Sequence, residues 1–480
     1  MMLIDILTVL PEITIAVAVI VVMLADLFWG KYIKNLAYML TQLSLVVAAW
    51  LSLEQYVDPF STGFGGQTIS SHFTFSLQIF IFLVAFFVFA YGKDYVEDRK
   101  LPKGEFYVLS LLSTLGAITL VSAHSLLTIY IGLELLSLPL YALLAIRRKF
   151  GIGAEAAIKY FILGAITSGL LLYGMSFIYG VTGSLNLAEI GHYLSASKFA
   201  HLDLVLVAMV LVIAAATFKL GAVPFHMWVP DVYEGSPNAV TAFLASIPKL
   251  AAFAMLVNLL IIAMPAEVYA WGKVLTVLAV ISLFIGNLAA LAQTNIKRLL
   301  GYSTISHIGF ILLALVLFPS SFAVSTALFY VFIYVLTAAA SFGVLIVLSV
   351  KGNEIENLSD FAGLNRRNPW IAFLLMMNMF SMAGIPPFSG FVAKLFIIIG
   401  LVDHAHYILA GYALVMSVVA AFYYLRIVKV MYFDEPVDEA PVLAGNGTLS
   451  LLSLNSLLIL FFGVFPSLLV NLIHPVYLLF

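Results

Sequence analysis

Four lysines, Lys159, Lys219, Lys249 and Lys394, each stand inside a long apolar stretch. An ammonium in hydrocarbon costs roughly 2.5–3.5 kcal/mol on insertion scales. A chain that keeps four of them has a use for them. Glu134 lies in the middle of another such stretch, SLLTIYIGLELLSLPLYALLAI. Lysine and glutamate in a membrane are the raw material of a proton path, because desolvation brings the neutral form of a charged group within reach. Beside a lysine, Glu134 can ionise, each charge offsetting the other's desolvation; Lys219 is its expected partner. His307, in GYSTISHIGF, stands midway in the chain between Lys249 and Lys394 and belongs to a type that titrates near neutral pH. Each residue also has a bland reading. Lys159, about three residues into its span, can snorkel to the interface. Glu134 can be a neutral acid hydrogen-bonded to a neighbouring helix. His307 can be a neutral ring bonded to a serine or to backbone.

Two broken helices position these groups. The first reads TFKLGAVPFHMWVPDVYEG. Pro224 cannot donate to the carbonyl of Leu220, and its ring clashes there. Gly221 and Pro230 weaken the same region. Freed carbonyls at a half-helix C-terminus favour a cation, and Lys219 sits one residue before the released carbonyl. The second reads FSMAGIPPFSGFVAKLFIIIG. Pro386 and Pro387 release the carbonyls of Met382 and Ala383, and Lys394 follows roughly two turns on. Interrupted membrane helices are tolerated only where their backbone is buried in protein or lines water, and paired interruptions point to a transport site. The match of AVPF near 222 with IPPF near 385 is short. His226 is expected at an aqueous mouth, and His124, His404, His406 and His474 at the interface. Asp231 and Glu234 are expected to cap the segment after the first break. Tyr330, Tyr334, Thr337 and Ser341 put hydroxyls along one long helix, for a water wire or for packing.

The 480 residues are 63% hydrophobic and 10% charged, with a mean hydropathy of +1.12. Soluble domains run about 25% charged, so the chain is read as an all-α polytopic membrane protein. The net charge of −2 points to no nucleic acid, and the lack of cysteine excludes disulfides and thiolate-held iron–sulfur or haem groups in this chain. No HExxH motif, nucleotide loop or Rossmann fingerprint occurs. Roughly fourteen stretches reach the length a bilayer requires. Threaded from an N-terminus on one face, they send Lys31, Lys34, Lys93, Arg99, Lys100, Lys103, Arg147, Arg148, Lys149, Lys297, Arg298, Lys351, Arg366, Arg367, Arg426 and Lys429 to the opposite face. Only Lys198 and Lys273 remain on the first. The basic face is therefore expected to be cytoplasmic, with both termini outside.

The stretch TFKLGAVPFHMWVPDVYEGSPNAVTAFLASIPKLAAF resembles the signature of the proton-conducting, antiporter-like subunits of respiratory complex I, the NADH:quinone oxidoreductase. PFHMWVPDVYEGSPNAVTAFL is most similar to the N-type members. The resemblance extends over TNIKRLLGYSTISHIGF and MAGIPPFSGFVAK and covers nearly the whole chain.

The resemblance implies two inverted five-helix repeats, each with a broken helix. It divides the chain into N-terminal helices (1–104), a first repeat (105–263), a second repeat (264–431) and a C-terminal helix (432–480). Glu134 would pair with the pumping Lys219, Lys159 would modulate that pair, and Lys249 would lie on the central polar axis. Lys394 would face the second half-channel, with His307 as a bridging group. Many M-type relatives carry glutamate in place of Lys394, which leads one to expect Lys394→Glu to be better tolerated than Lys394→Ala. NADH, FMN, iron–sulfur clusters and quinone would belong to partner subunits, and this chain would bind no cofactor or metal. Its neighbours would be an M-type subunit, small K-, J- and A-type subunits and lipid, in the cell inner membrane. The alternative is an Mrp-type or hydrogenase-linked cation/proton antiporter subunit, which would use the same lysines. A non-transporting scaffold would not need them.

Overall fold

A computed structural model of the chain describes residues 2–56, 61–147, 151–196, 202–320, 322–349, 354–436 and 445–477. Arg148, Lys149, Lys198, Lys351 and the side chain of His474 lie outside the described residues. The element order is α1 (Met2–Thr8), α2 (Leu10–Trp29), α3 (Leu36–Tyr56), β1 (Ser61–Gly63), β2 (Thr68–Ser70), α4 (His72–Asp98), α5 (Lys103–Val121), α6 (Leu126–Leu144), α7 (Gly151–Thr182), α8 (Leu187–Ala196) and α9 (Leu202–Leu220). It continues with α10 (Trp228–Gly235), α11 (Asn238–Leu244), α12 (Ile247–Val257), α13 (Val268–Ala292), α14 (Ile296–Leu315), α15 (Phe322–Leu348) and α16 (Leu364–Arg367). It ends with α17 (Pro369–Ala383), α18 (Ser389–Asp403), α19 (Tyr407–Phe433), α20 (Asn446–Val464) and α21 (Pro466–Tyr477).

Among the described residues, 13 helical stretches are long and apolar enough to cross a membrane. One further crossing is interrupted: α17 and α18 follow one another across residues 384–388, and neither reaches full span length alone. Small polar caps start the helices where the chain turns back. Ser71 accepts from the Thr74 amide, Asn295 from the Lys297 and Arg298 amides, and Asn368 from Ile371 just ahead of a Pro at the first helical position.

The contacts between loops check the threading. On the basic face, Lys34 and Lys103 both pair with Glu97, Arg147 pairs with Glu354, Arg298 with Asp231, and Arg366 with Glu435. On the opposite face a hairpin, β1 against β2, docks on the loop after α5: the His124 amide donates to Gln67 and that of Leu187 to His124. Residues assigned to one face from the spacing of spans meet on that face. His124, expected at the interface, is buried in this docked loop.

The helices sort by exposure. α12, α14 and α15 are buried along nearly their whole length, whereas α2, α3 and α20 show large apolar side chains outward, as a lipid-facing or partner-facing surface does. The polar side chains with chemistry belong to the inner set and to the helices around it.

Candidate functional site

The first break ends α9. Gly221, with φ +91°, turns the chain out of the helix. The Ala222 amide reaches back to the carbonyl of Thr217, and that of Gly221 to Phe218. This is the Schellman arrangement, which settles two of the four carbonyls left at a helix end. The other two belong to Lys219 and Leu220. Lys249, from α12, donates its Nζ to both, at 3.3 and 2.8 Å. The carbonyl released by Pro224 is therefore capped by Lys249. The Lys219 ammonium, which the sequence places beside that carbonyl, points elsewhere.

The second break is built in the same way. Gly384, with φ +84°, ends α17. The amides of Ile385 and Gly384 return to Phe380 and Ser381. Lys394 from α18 donates to Met382 and Ala383, both at 2.9 Å, and to Ser417 Oγ at 3.1 Å. Here the carbonyls expected from Pro386 and Pro387 and the lysine expected nearby do meet.

Lys219 turns toward α6. Its Nζ donates to Ser137 Oγ at 2.8 Å and lies 3.5 Å from the Tyr141 hydroxyl. The rings of Tyr141, Tyr160 and Phe218 surround it at 5.6–5.8 Å. Glu134, Ser137 and Tyr141 recur at helical spacing along one stripe of α6. The expected direct pair does not form: Glu134 and Lys219 make no ion pair within 4 Å, and Ser137, one turn on, takes the ammonium instead. Glu134 Oε1 is buried with no hydrogen-bond partner. A coupling between the two charges is thus weaker than the roughly 4 kcal/mol of a contact pair at an effective dielectric of 20.

Lys219, Lys249 and Lys394 are 4%, 1% and 4% exposed, and none touches a carboxylate among the described residues. Lys159 differs. Its side chain is 44% exposed and pairs with Glu155 at 2.9 Å and Asp231 at 2.8 Å. It reaches the surface, as its place near a span end allows, and it does not contact the Lys219 cluster. Asp231 and Glu234 hold Arg298 at 2.8 and 2.7 Å. They do not cap α10 as expected, and instead tie α7, α10 and α14 into one ladder of charges. Their spacing one turn apart hinted at a shared partner, but only the fold brings Arg298 to them.

His307 Nδ1 meets the Tyr330 hydroxyl at 2.8 Å and Nε2 meets that of Tyr424 at 3.0 Å. Tyr334 donates to Thr304. Thr337 and Ser341 bond back to their own helix, and Thr337 also lines the cavity between His307 and Lys394. His307, Tyr330 and Lys394 line one cavity of about 10 Å³, room for about one water. His226 is half-buried just beyond the first break, with Nδ1 unpartnered. No cluster of metal-ligating side chains occurs among the described residues.

Residues 123–420 match the family described as NADH:quinone oxidoreductase/Mrp antiporter, TM. The chain is 50% identical over 476 residues to NADH-quinone oxidoreductase subunit N of Francisella tularensis subsp. holarctica, covering 98% of each. The chain belongs to the subunit N family of NADH-quinone oxidoreductases. It is 46% identical to the subunit N of Thioalkalivibrio sulfidiphilus over 98% of its length and 97% of that relative's. Among solved structures it resembles a chain of respiratory complex I from Thermus thermophilus, with a TM-score of 0.81 and 31% identity, over 96% of this chain and 98% of that one. It shares the fold of a chain of the Mrp complex from Dietzia sp. DQ12-45-1b, at a TM-score of 0.83 and 23% identity, over 99% and 97%. Subunit N membership is thus carried by full-length identity, and the Mrp likeness is one of fold alone.

Proposed function

We propose that this chain carries protons across the membrane as a subunit of an NADH:quinone oxidoreductase, through Lys219, Lys249 and Lys394. One observation supports the reading most: three lysines are buried and held only by neutral acceptors. A buried lysine kept for structure is ordinarily paired with a carboxylate, because an unpaired buried charge is costly. A lysine on carbonyls and hydroxyls can give up its proton without stranding an anion.

Quinone reduction takes place elsewhere in the complex, and its energy arrives as a charge shift from a neighbouring M-type subunit. Glu134 senses that shift through Ser137 and Lys219. The proton passes to Lys249, then through His307, the tyrosine hydroxyls and water to Lys394. NADH, FMN, iron–sulfur clusters and quinone belong to partner subunits, which include small K-, J- and A-type chains. Lys159 tunes the first half from the rim. The chain lies in the inner membrane with its basic face cytoplasmic and both termini outside. Its helices from 105 to 263 and from 264 to 431 form two inverted repeats, a division favoured by the lysine that caps the freed carbonyls at each break.

The test is NADH-driven pumping by the purified complex in liposomes. Lys219→Arg keeps the charge but does not deprotonate. It should assemble, oxidise NADH and pump poorly, as should Lys219→Ala. Full pumping in Lys219→Arg would sink the proton-carrying role.

A further inference from the structure

A fourth buried lysine was hidden among the loop charges. Lys297 opens α14 beside Arg298, yet it is 3% exposed. Its Nζ donates to the carbonyl of Ser236, the residue that ends α10, at 3.0 Å. It makes no ion pair within 4 Å. Lys249 and Lys394 sit on the carbonyls that end α9 and α17, so Lys297 repeats their construction at the end of the other half of the first broken helix.

Its surroundings are polar and incompletely paired. Glu354, Glu356, Glu234 and Arg147 are the charged groups around it. Asn238, two residues past Ser236, is fully buried with Oδ1 unpartnered, and Glu354 Oε2 is likewise buried without a partner. Next along the chain, Arg298 joins the half-exposed carboxylates of Asp231 and Glu234. Lys297 therefore lies just beneath an acidic rim.

Inward, α14 carries a polar stripe. Lys297, Thr304 and His307 fall on one side of the helix, with Thr304 about 10 Å and His307 about 15 Å farther along the axis. The gap between Lys297 and Thr304 is filled by Tyr233. Its ring packs against Gly301, where an added Cβ would lie 3.6 Å from it. The Tyr233 hydroxyl is buried beside Thr304 and Tyr334, without a well-aligned hydrogen bond to either. Past it come Tyr334 on Thr304, then His307 and the cavity shared with Lys394.

We propose that Lys297 is a proton-transferring residue, the mouth of a branch that runs from the basic face along α14, through Tyr233, to His307 and Lys394. This rests on the proton-carrying reading above. In each cycle an Nζ–H bond breaks, the proton moves inward through hydroxyls and water, and the amine left behind takes a proton from water at the acidic rim. The ammonium is restored and nothing else is consumed.

The experiment uses the whole complex in liposomes, with protons pumped per NADH oxidised as the readout. Lys297→Arg keeps the cap on Ser236 but does not release a proton. Tyr233→Phe removes the hydroxyl beside Thr304 and Tyr334 and keeps the ring packed on Gly301. Both should oxidise NADH at the wild-type rate while the pumping ratio falls toward that of Lys394→Ala. A wild-type ratio in Tyr233→Phe overturns the branch, even if Lys297→Arg fails to assemble. So does a wild-type ratio in an assembled Lys297→Arg. Lys219→Arg in the same assay separates the two levels. If it too pumps in full, the lysine path itself has failed; if it pumps poorly while the other two are normal, only the branch has.

Discussion

The Nζ of Lys249 lies 2.8 Å from the carbonyl of Leu220, 29 residues upstream, and closes the helix end that Pro224 opens. It also holds the carbonyl of Lys219. One residue therefore links both sites: the side chain of Lys219 reports to α6 and its backbone to Lys249. Lys249→Met keeps the bulk and removes the donor. It strands two buried carbonyls, each at a cost of about 1–3 kcal/mol. A lowered unfolding temperature of the purified complex is expected. Lys249→Arg, which keeps donors, should recover most of that stability while pumping stays low. An unchanged melting temperature in the Met variant would show that the cap carries no stability.

Gly384 makes the second break possible. At φ +84° a side chain meets the left-handed penalty of roughly 1–2 kcal/mol. A Cβ there would also stand 2.9 Å from Lys394 Cδ and 3.3 Å from its Nζ. Gly384→Ala should therefore displace the ammonium from Met382 and Ala383. The expected outcome is an assembled complex whose pumping falls further than its NADH oxidation. Equal loss of both would place the defect in assembly.

Ser137, and not Glu134, touches Lys219. A hydrogen bond from a charged group is worth about 1.5–3 kcal/mol, and Ser137→Ala leaves only Tyr141 at 3.5 Å. Pumping should drop clearly in Ser137→Ala and be kept in Ser137→Thr, which retains the hydroxyl. If both variants fall alike, Ser137 is a packing residue and the ammonium finds another acceptor.

These contacts show what a sequence can and cannot reveal. The two breaks were legible because proline and glycine act on their own backbone. The membrane class and the basic face followed from composition and span length, and the ion pairs Lys34–Glu97 and Arg147–Glu354 agree with that threading. The partner of each freed carbonyl was legible only where it was local, as for Lys394. Lys249 and Leu220 are joined by a tertiary contact that no local pattern encodes. Ser137 was passed over because a serine in an apolar helix is usually bonded to its own backbone, which this one also is. Lys297 reads as a loop charge because hydropathy ranks neighbouring Lys297 and Arg298 alike as strongly polar. Only the helix end at Ser236, folded over one of them, sets them apart. Lys159 takes the snorkelling alternative that its place near a span end leaves open, its side chain reaching out to Glu155 and Asp231.

Lys394→Glu tests whether family resemblance or local geometry decides. The resemblance favours glutamate, since M-type relatives carry it there. The structure argues otherwise. Lys394 donates three hydrogen bonds, two of them to the carbonyls at the negative end of α17. A carboxylate accepts only, so it would face two carbonyl acceptors and the helix dipole, with the Ser417 hydroxyl as the donor beside it. Lys394→Glu should therefore assemble less stably than Lys394→Ala, which leaves room for water, and it should pump no better. Lys394→Arg should be the most stable of the three and still pump poorly. Pumping by the Glu variant well above that of the Ala variant would mean that α17 can be recapped by another group, and that the donor role drawn from Met382 and Ala383 does not fix the residue at this position.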